Sequence, residues 1–188
     1  TGSLFKLEAH RSTFLENGLE LGRSFVQPRY WGKRSLDYLW YGIGAYLVKN
    51  PHFRFLFGPV SISNAQPGVA KELLIYFYKL YFSPDASLSC SRNPFSFSQP
   101  MASLDREFCG TDYKADFRKL KSLLANLGTT IPPLYKQYTG LCEPGGVVFL
   151  DFNIDPAFSN CIDGLVIVDT KKLKESKRKR YMDETILV

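Results

Sequence analysis

Apolar and polar residues alternate between positions 19 and 27, which is the period of a β-strand with two different faces. The alternation assigns Leu19, Leu21, Arg23, Phe25 and Gln27 to one face and Glu20, Gly22, Ser24 and Val26 to the other. The second face is unusually polar for a strand inside a sheet. After this strand, residues 28–35 contain few apolar side chains and several cations, which predicts an exposed basic turn.

Helical spacing begins after the basic turn. Apolar residues recur at three- and four-residue intervals at Leu36, Leu39, Trp40, Ile43, Tyr46 and Leu47. This predicts a helix with Ser35 as its N-cap and an end at Asn50-Pro51. Residues 53–64 predict a second strand, which Gly58-Pro59 interrupts. Because proline has no N–H to donate to a neighbouring strand, we expect a bulge or strand end there and a sheet that splays.

The rest of the chain continues the mixture of helices and strands. Pro67 is expected to open a helix with one apolar face, formed by Val69, Leu73, Phe77 and Leu80. Residues 83–110 have no period and predict an irregular insertion. A helix over 112–127 that ends at Gly128 and two strands, 146–154 and 162–170, complete the pattern. This order predicts an α/β (α+β) domain over 1–170 with a mixed sheet.

The composition is that of one folded domain. The chain has 188 residues, of which 45% are hydrophobic, and contains no run of 18 consecutive apolar residues. It begins at Thr1 without an initiator methionine or a signal-peptide pattern, so we interpret it as part of a longer cytoplasmic protein. Four cysteines without CxxC spacing and two histidines predict free thiols and no metal site.

The net charge is concentrated near the end of the chain. Residues 171–180, KKLKESKRKR, hold seven cations and one Glu, and this local charge of +6 equals that of the whole chain. Such a run is typical of a solvated tail, so we separate 171–188 as a basic tail. It could also bind an anionic membrane surface or an acidic carrier protein. We expect no nucleic acid as a partner, because no basic stripe continues elsewhere.

The stretch GLELGRSFVQPRYWGKRS combines two features of a site for a phosphorylated, amide-containing ligand. A basic turn before a helix offers free N–H groups, the positive end of the helix dipole, and the charges of Lys33 and Arg34. If strands 19–27 and 53–64 run parallel and part near Gly58-Pro59, unpaired backbone groups face a cleft. An extended chain such as the pantetheine arm of an acyl donor can pair with them. The sequence contains neither a P-loop nor a GxGxxG motif.

Several separated motifs resemble one enzyme family. VQPRYWGKRSLDYLW is similar to the acyl-CoA-binding loop of GNAT-type N-acyltransferases, although Trp31 stands where arginine is common and Arg34 and Leu36 where glycines are common. With LELGRSFVQP, LWYGIGAYL, LFGPVSISN and FNIDPAFSNCIDGLVIVD, the chain resembles the ornithine-lipid and glycine-lipid N-acyltransferases. That branch is often labelled hemolysin and is related to the acyl-homoserine lactone synthases.

The resemblance implies a GNAT-like mixed sheet with flanking helices, whose first strands lie upstream of Thr1. It also implies transfer of a fatty acyl group from acyl carrier protein or acyl-CoA to the amine of a small amino acid, with no permanently bound cofactor. Such an enzyme would be cytoplasmic or peripheral on the inner membrane. This chain alone could then be inactive.

Each site residue implied by this interpretation also has a structural alternative. Glu20 would be the base or amine-orienting carboxylate and Arg23 the clamp for the acceptor carboxylate, or both would form ion pairs. The donor would contact Ser24, Phe25, Val26, Gly32, Lys33, Arg34 and Ser35. The acceptor pocket would contain Ser61, Ser63 and Asn64, unless these residues cap the next helix. Asp155 and Asp163 are expected to bond nearby amides in turns, rather than to form a paired-carboxylate site.

Other functions fit the same residues. A GNAT-type enzyme could instead transfer a small acyl group from acetyl-CoA. A domain that keeps the fold without turnover could bind acyl groups or a membrane, which the altered glycine pattern at 31–36 favours. We discount a membrane-lytic protein, because the sequence contains no strongly amphipathic helix and no secretion signal.

Overall fold

The four strands of the domain form one sheet. The structure is a computed structural model that describes residues 1–8, 14–31, 33–84 and 90–182. The strands are β1 (Gly18–Glu20), β2 (Phe55–Ile62), β3 (Val147–Asp155) and β4 (Cys161–Asp169), in the spatial order β1-β2-β4-β3. β1 is parallel to β2, and β4 is antiparallel to both β2 and β3. The predicted mixed sheet is therefore confirmed.

Helices surround this sheet. The α-helices in the described residues are α1 (Ser35–Lys49), α2 (Gly68–Phe82), α3 (Met101–Asp105), α4 (Tyr113–Asn126), α5 (Pro133–Thr139) and α6 (Glu175–Met182). Short 3₁₀ helices cover Pro28–Tyr30, Pro156–Phe158 and Thr170–Lys172. The predictions for α1, α2 and α4 are confirmed, whereas α5 was not predicted and α3 lies within the predicted irregular insertion. The prolines before α5 mark its start, since proline is well tolerated in the first turn of a helix.

The two faces of the sheet bury different hydrophobic clusters. The larger cluster packs Leu56 and Val60 of β2 against the helices, where Trp40 and Phe77 are buried. The smaller cluster lies on the opposite face and includes these residues of the sheet and the N-terminal segment: Phe57, Leu165, Ile167, Phe5 and Phe14. β4 is buried along its whole length, because it is an inner strand that lies between β2 and β3.

Helix α2 is buried over more of its circumference than one apolar stripe would predict. Every residue from Glu72 to Tyr78 is buried, because α2 packs against both α4 and the sheet. The ends of the predicted stripe are wrong, since Val69 is 45% exposed and Leu80 is 38% exposed. The predicted end of α4 is confirmed: Gly128 has a φ of +69°, and the N–H of Thr129 donates to the carbonyl of Leu124 at 2.9 Å.

The basic run does not extend from the domain as a solvated tail. From Glu175 onward it belongs to helix α6, which packs along α1 and buries Tyr181. The guanidinium of Arg180 pairs with the carboxylate of Asp37 at 2.7 Å. The solvated-tail prediction is thus wrong for α6, although two of its four cations, Arg178 and Lys179, are exposed. Residues 183–188 lie outside the described part. No helix of the described ranges is long and apolar enough to cross a bilayer.

Candidate functional site

Strands β1 and β2 separate at the position where the sequence predicts it. Their parallel register pairs Gly18 with Phe55 and Glu20 with Phe57, and the last hydrogen bond joins the Leu21 N–H to the Phe57 carbonyl at 2.7 Å. A Cβ on Gly58 would collide with the Leu21 carbonyl, so the two backbones cross closely only because residue 58 is glycine. β2 itself does not end at Pro59, since its pairing with β4 continues to Ile62. The predicted splay is therefore confirmed between β1 and β2, whereas β2 and β4 stay paired.

The chain leaves the sheet after Glu20, which leaves a row of backbone groups unpaired. The predicted strand over 19–27 is wrong beyond Glu20, because β1 has no neighbour after it parts from β2. Arg23 has a φ of +55°, which ends the extended run. Among the described residues, the N–H groups of 22–27 find no hydrogen-bond acceptor. The amides of Ser24, Phe25 and Val26, the residues predicted to contact the donor, therefore have no acceptor among the described residues, and the Phe25 side chain is 78% exposed.

The facing edge of β2 is also open. The Phe55 N–H donates to Asn17 and the Phe57 carbonyl accepts from Leu21, so the backbone of every second residue points toward β1. Past the separation, this alternation turns the backbone of Pro59 and Ser61 toward the gap. Proline contributes a carbonyl only, and Ser61 contributes both an N–H and a carbonyl. Past the separation, the open edge of β2 thus presents one N–H and two carbonyls toward the gap.

A cavity of about 460 Å³ lies where the basic turn meets α1. It is lined by Val26, Tyr30, Trp31, Lys33, Ser35, Leu36, Pro133 and Leu134. The Trp31 indole donates to the Val26 carbonyl at 2.7 Å, and the Ser35 hydroxyl donates to the Tyr30 carbonyl at 2.8 Å. Ser35 therefore fixes the turn and does not cap α1, which corrects the N-cap prediction. Gly32, the remaining predicted residue of this turn, lies outside the described residues.

The first turn of α1 is electropositive. The first backbone bond into the helix runs from the Tyr38 N–H to the Arg34 carbonyl at 3.2 Å, so the amides of 35–37 are unpaired within the described chain. Lys33 and Arg34 are exposed beside them. Asp37 would weaken this field, but it accepts hydrogen bonds from Arg34, Arg180 and Tyr181. Burial would raise the pKa of Asp37, yet these partners outweigh it and keep the pKa lowered.

Glu20 and Arg23 have different surroundings. The Thr1 hydroxyl donates to Glu20 Oε1 at 2.6 Å, which lowers the pKa of Glu20 and keeps it ionised at neutral pH. No described Lys or Arg side chain pairs with Glu20. Arg23 is exposed and makes no ion pair with any described residue, so its expected pairing with Glu20 or Asp155 is absent.

The residues predicted for the acceptor pocket lie at the end of β2, but their side chains bond to three different partners. The Ser61 hydroxyl donates to Asp163 Oδ1 at 2.5 Å. Ser63 accepts from the Ala65 N–H at 3.2 Å, and Asn64 accepts from the Lys71 ammonium at 2.8 Å. None of the three caps α2, whose N-cap is Pro67 without a side-chain bond. Since residues paired across parallel strands share a face, Ser61 and Glu20 lie on the same face, roughly 13 Å apart along β2.

Asp163 is the residue whose environment the sequence interpretation missed. Asp155 does bond a nearby amide, that of Ala157 at 2.9 Å, as predicted. Asp163 instead lies in the middle of β4 and is only 3% exposed, so the turn prediction is wrong for it. Burial raises the pKa of Asp163 above its ordinary value. The alternation Cys161, Asp163, Leu165, Ile167 along the predicted strand was a signal for its inward position.

The cysteines contribute no site of their own. All four are free thiols, three of them buried and Cys109 exposed, as the sequence predicts. A hydrogen bond from the Thr111 hydroxyl lowers the pKa of Cys109. Across the described ranges, no group of three or more His, Cys, Asp or Glu side chains could hold a metal ion.

Comparison with known proteins relates the chain to one class of enzymes. Residues 1–41, which include β1 and the basic turn, match the family model described as an acetyltransferase (GNAT) domain. The mixed sheet with flanking helices is the GNAT-like fold that the sequence predicts. No solved structure is significantly similar to the chain.

Two curated relatives indicate a narrower class of enzyme than the family model does. Over 186 residues, or 95% of this chain, it is 26% identical to a glycine N(alpha)-acyltransferase of Phocaeicola vulgatus and 27% identical to one of Bacteroides thetaiotaomicron. The matches cover 56% and 55% of those proteins, so the chain spans little more than half their length. Together with the family match, they support a GNAT-type N-acyltransferase.

Proposed function

We propose that this chain carries the thioester-binding part of an N-acyltransferase that moves an acyl group to the amine of a small amino acid. The observation that carries the proposal is the gap between β1 and β2, where unpaired backbone groups lie beside the electropositive start of α1. A pantetheine arm would pair with Ser24–Val26 and the edge of β2. Its phosphate would lie at Lys33, Arg34 and the free amides of α1, the usual position for an anion at a helix N-terminus.

Direct aminolysis fits the groups that line the gap. The acceptor ammonium loses one proton to a carboxylate, for which Glu20 is the candidate. The amine then attacks the thioester carbonyl, a C–N bond forms, the C–S bond breaks, and the thiolate takes the second N–H proton. Free N–H groups at Ser24–Val26 would stabilise the developing oxyanion. Arg23 would hold the acceptor carboxylate through two hydrogen bonds.

The names of the relatives suggest glycine as the acceptor. The resemblance to aminolipid synthases suggests a fatty acyl donor carried by acyl carrier protein or CoA. Synthesis of such a lipid would occur in the cytoplasm at the inner membrane, where the cations of 171–180 could contact anionic headgroups.

The decisive experiment uses the full-length protein that contains this chain. It is incubated with glycine and, in parallel, lauroyl-CoA, lauroyl acyl carrier protein or acetyl-CoA, while released thiol and N-acylglycine are measured. N-lauroylglycine formed in step with thiol would support the proposal. Turnover of acetyl-CoA alone would indicate a small-acyl transferase, and binding of every donor without turnover would indicate a non-catalytic module.

A further inference from the structure

A row of polar side chains crosses the sheet on the face that carries Glu20. The register pairs Ser61 of β2 with Asp163 of β4, and Asp163 with Asn153 of β3. The neighbouring positions on this face, Phe57, Leu165 and Ile167, belong to a hydrophobic cluster. Asp163 and Asn153 are buried, and a buried polar side chain costs free energy unless it is paired, so the hydrogen-bond partners of these two residues matter.

The side chain of Asn153 is already hydrogen-bonded within the protein. Its Oδ1 accepts from the Ser91 hydroxyl at 2.8 Å and the Asn93 N–H at 2.7 Å, and its amide nitrogen donates to the Ile154 carbonyl at 2.8 Å. These bonds hold the 91–93 segment on the edge of β3. Asn153 thus has the partners that a buried side chain of its type requires.

The side chain of Asp163, by contrast, has fewer hydrogen-bond partners than Asn153. It is 3% exposed and accepts one side-chain hydrogen bond, from Ser61 to Oδ1. Oδ2 accepts none from the described residues, and no described cation forms an ion pair with the carboxylate. A buried carboxylate is normally paired with a cation or several donors, because desolvation is costly. The described part of the protein therefore supplies no hydrogen-bond donor to Oδ2 of Asp163.

Ser61 connects this carboxylate to the gap between β1 and β2. Its side chain is exposed, and its backbone lies on the open edge of β2. A hydroxyl has one hydrogen, which Ser61 donates to Asp163, so its lone pairs remain as acceptors. Ser61 Oγ and Asp163 Oδ2 are thus two neighbouring oxygens that can each accept a hydrogen bond and receive none from the described residues. The ligand that satisfies both is a cation with several N–H groups, such as a primary ammonium.

We propose that Ser61 and Asp163 form the site that first binds the ammonium group of the acceptor amino acid, about 13 Å along β2 from Glu20, before the amine moves to the thioester. This inference rests on the proposed N-acyltransferase function and names the acceptor side of the same site. The cavity where the basic turn meets α1 lies on the face of the sheet that α1 covers, whereas Ser61, Asp163 and Glu20 lie on the opposite face. The amine would therefore approach the thioester through the gap from the side opposite to the donor.

The kinetic test compares two acceptors in the full-length protein. Glycine and glycinamide share the ammonium, but glycinamide lacks the carboxylate. Asp163→Asn should raise KM about ten- to hundredfold for both acceptors, because a hydrogen bond to a charged group contributes more than a neutral one. KM for the acyl donor should not change. Ser61→Ala should raise the acceptor KM by a smaller factor. Asp112→Asn is the matched control, since its carboxylate caps α4 through the Ala115 N–H and asparagine can keep this cap, and it should leave both KM values unchanged.

A binding measurement separates this inference from the proposed function. Glycinamide at saturating concentration should raise the unfolding temperature of the wild type and of Asp112→Asn, but not that of Asp163→Asn or Ser61→Ala. This result would support the ammonium site even if no donor were turned over. Unchanged acceptor KM and unchanged stabilisation in both site variants would overturn the inference while active enzyme upheld the function. If Asp163→Asn does not fold, Ser61→Ala decides alone.

Discussion

Glu20 is held in its charged form by its neighbours at the start of the open gap. The hydrogen bond from Thr1 lowers its pKa, and its carboxylate is partly exposed. Glu20→Gln in the full-length enzyme should reduce kcat about a hundredfold or more, the usual effect of losing a general base. The unfolding midpoint should stay the same. Glu16→Gln, which removes an exposed carboxylate just before β1, is the control. Equal kcat in both variants would exclude Glu20 as the base.

Arg23 combines a left-handed backbone with an exposed guanidinium that no described carboxylate holds. It is therefore free to bind the carboxylate of an acceptor. Arg23→Lys should raise KM for glycine about tenfold, because an ammonium cannot form the bidentate pair. The same variant should leave KM for glycinamide unchanged. A similar rise for both acceptors would show that Arg23 acts on the shape of the 21–27 segment instead.

Asp116 joins the 109–110 turn to α2 and α4. Its carboxylate accepts from the Cys109 and Gly110 amides at 3.1 and 2.9 Å and from the Tyr81 hydroxyl at 2.6 Å. Burial would raise the pKa of Asp116, but these donors outweigh it and lower the pKa. Asp116→Ala should cost about 2–4 kcal/mol in the free energy of unfolding, because buried donors lose a charged partner.

The stabilisation by Asp116 should depend on pH in a definite direction. A carboxyl whose pKa is lower in the folded state stabilises fully above its unfolded pKa of about 4, and this contribution is lost as pH falls through the folded value. Urea unfolding at pH 7 and pH 3 should show a smaller difference between wild type and Asp116→Ala at pH 3. Asp112→Ala, which removes only the N-cap of α4, should cost about 1 kcal/mol. Equal losses in both variants at pH 7 would contradict the assignment.

At the scale of elements, two glycines of α1 have opposite roles. A Cβ on Gly44 would collide with the Tyr181 carbonyl of α6, whereas one on Gly42 would meet nothing within 4 Å. Gly44→Ala should therefore displace α6 and lower the free energy of unfolding by about 1–3 kcal/mol. Gly42→Ala should raise it by up to about 1 kcal/mol, because alanine favours helix.

Limited trypsin digestion tests the contact between α1 and α6 independently. The cations of 171–180 are cleavage sites, and docking of α6 on α1 protects them. Gly44→Ala should be cut in this run sooner than wild type or Gly42→Ala. Identical cleavage rates would mean that the close approach of the two helices does not hold α6 in place.

At the scale of the whole molecule, the basic run keeps an exposed charged face although α6 is docked. Replacing Lys171, Lys172 and Lys179 by Gln, with Arg180 kept for its pair with Asp37, should weaken binding to phosphatidylglycerol vesicles by about 1 kcal/mol per cation. Replacing Lys114, Lys119 and Lys121 of α4 removes the same charge elsewhere and should have less effect. Equal losses would indicate general electrostatics. A loss confined to acyl carrier protein binding would assign the face to that partner.

The sequence by itself determined the elements and the point where the sheet opens. Apolar periodicity located β2, β3, β4, α1, α2 and α4, because one face of each must avoid water. Gly58-Pro59 predicted the separation, because both residues act through their own backbone, whatever surrounds them.

Only the tertiary structure decided where β1 ends and what Asp163 and α6 do. The alternation that begins at Leu19 continues to Gln27, yet β1 stops at Glu20, because a strand also needs a hydrogen-bonding neighbour and β2 moves away. Asp163 resembled a turn residue until the β2–β4 register placed it beneath Ser61. The charges of 171–180 suggested a solvated tail, but Tyr181 and Arg180 find their partners on α1, more than a hundred residues earlier. Local pattern reports what a residue tends to do alone, whereas contacts between distant segments depend on the complete fold.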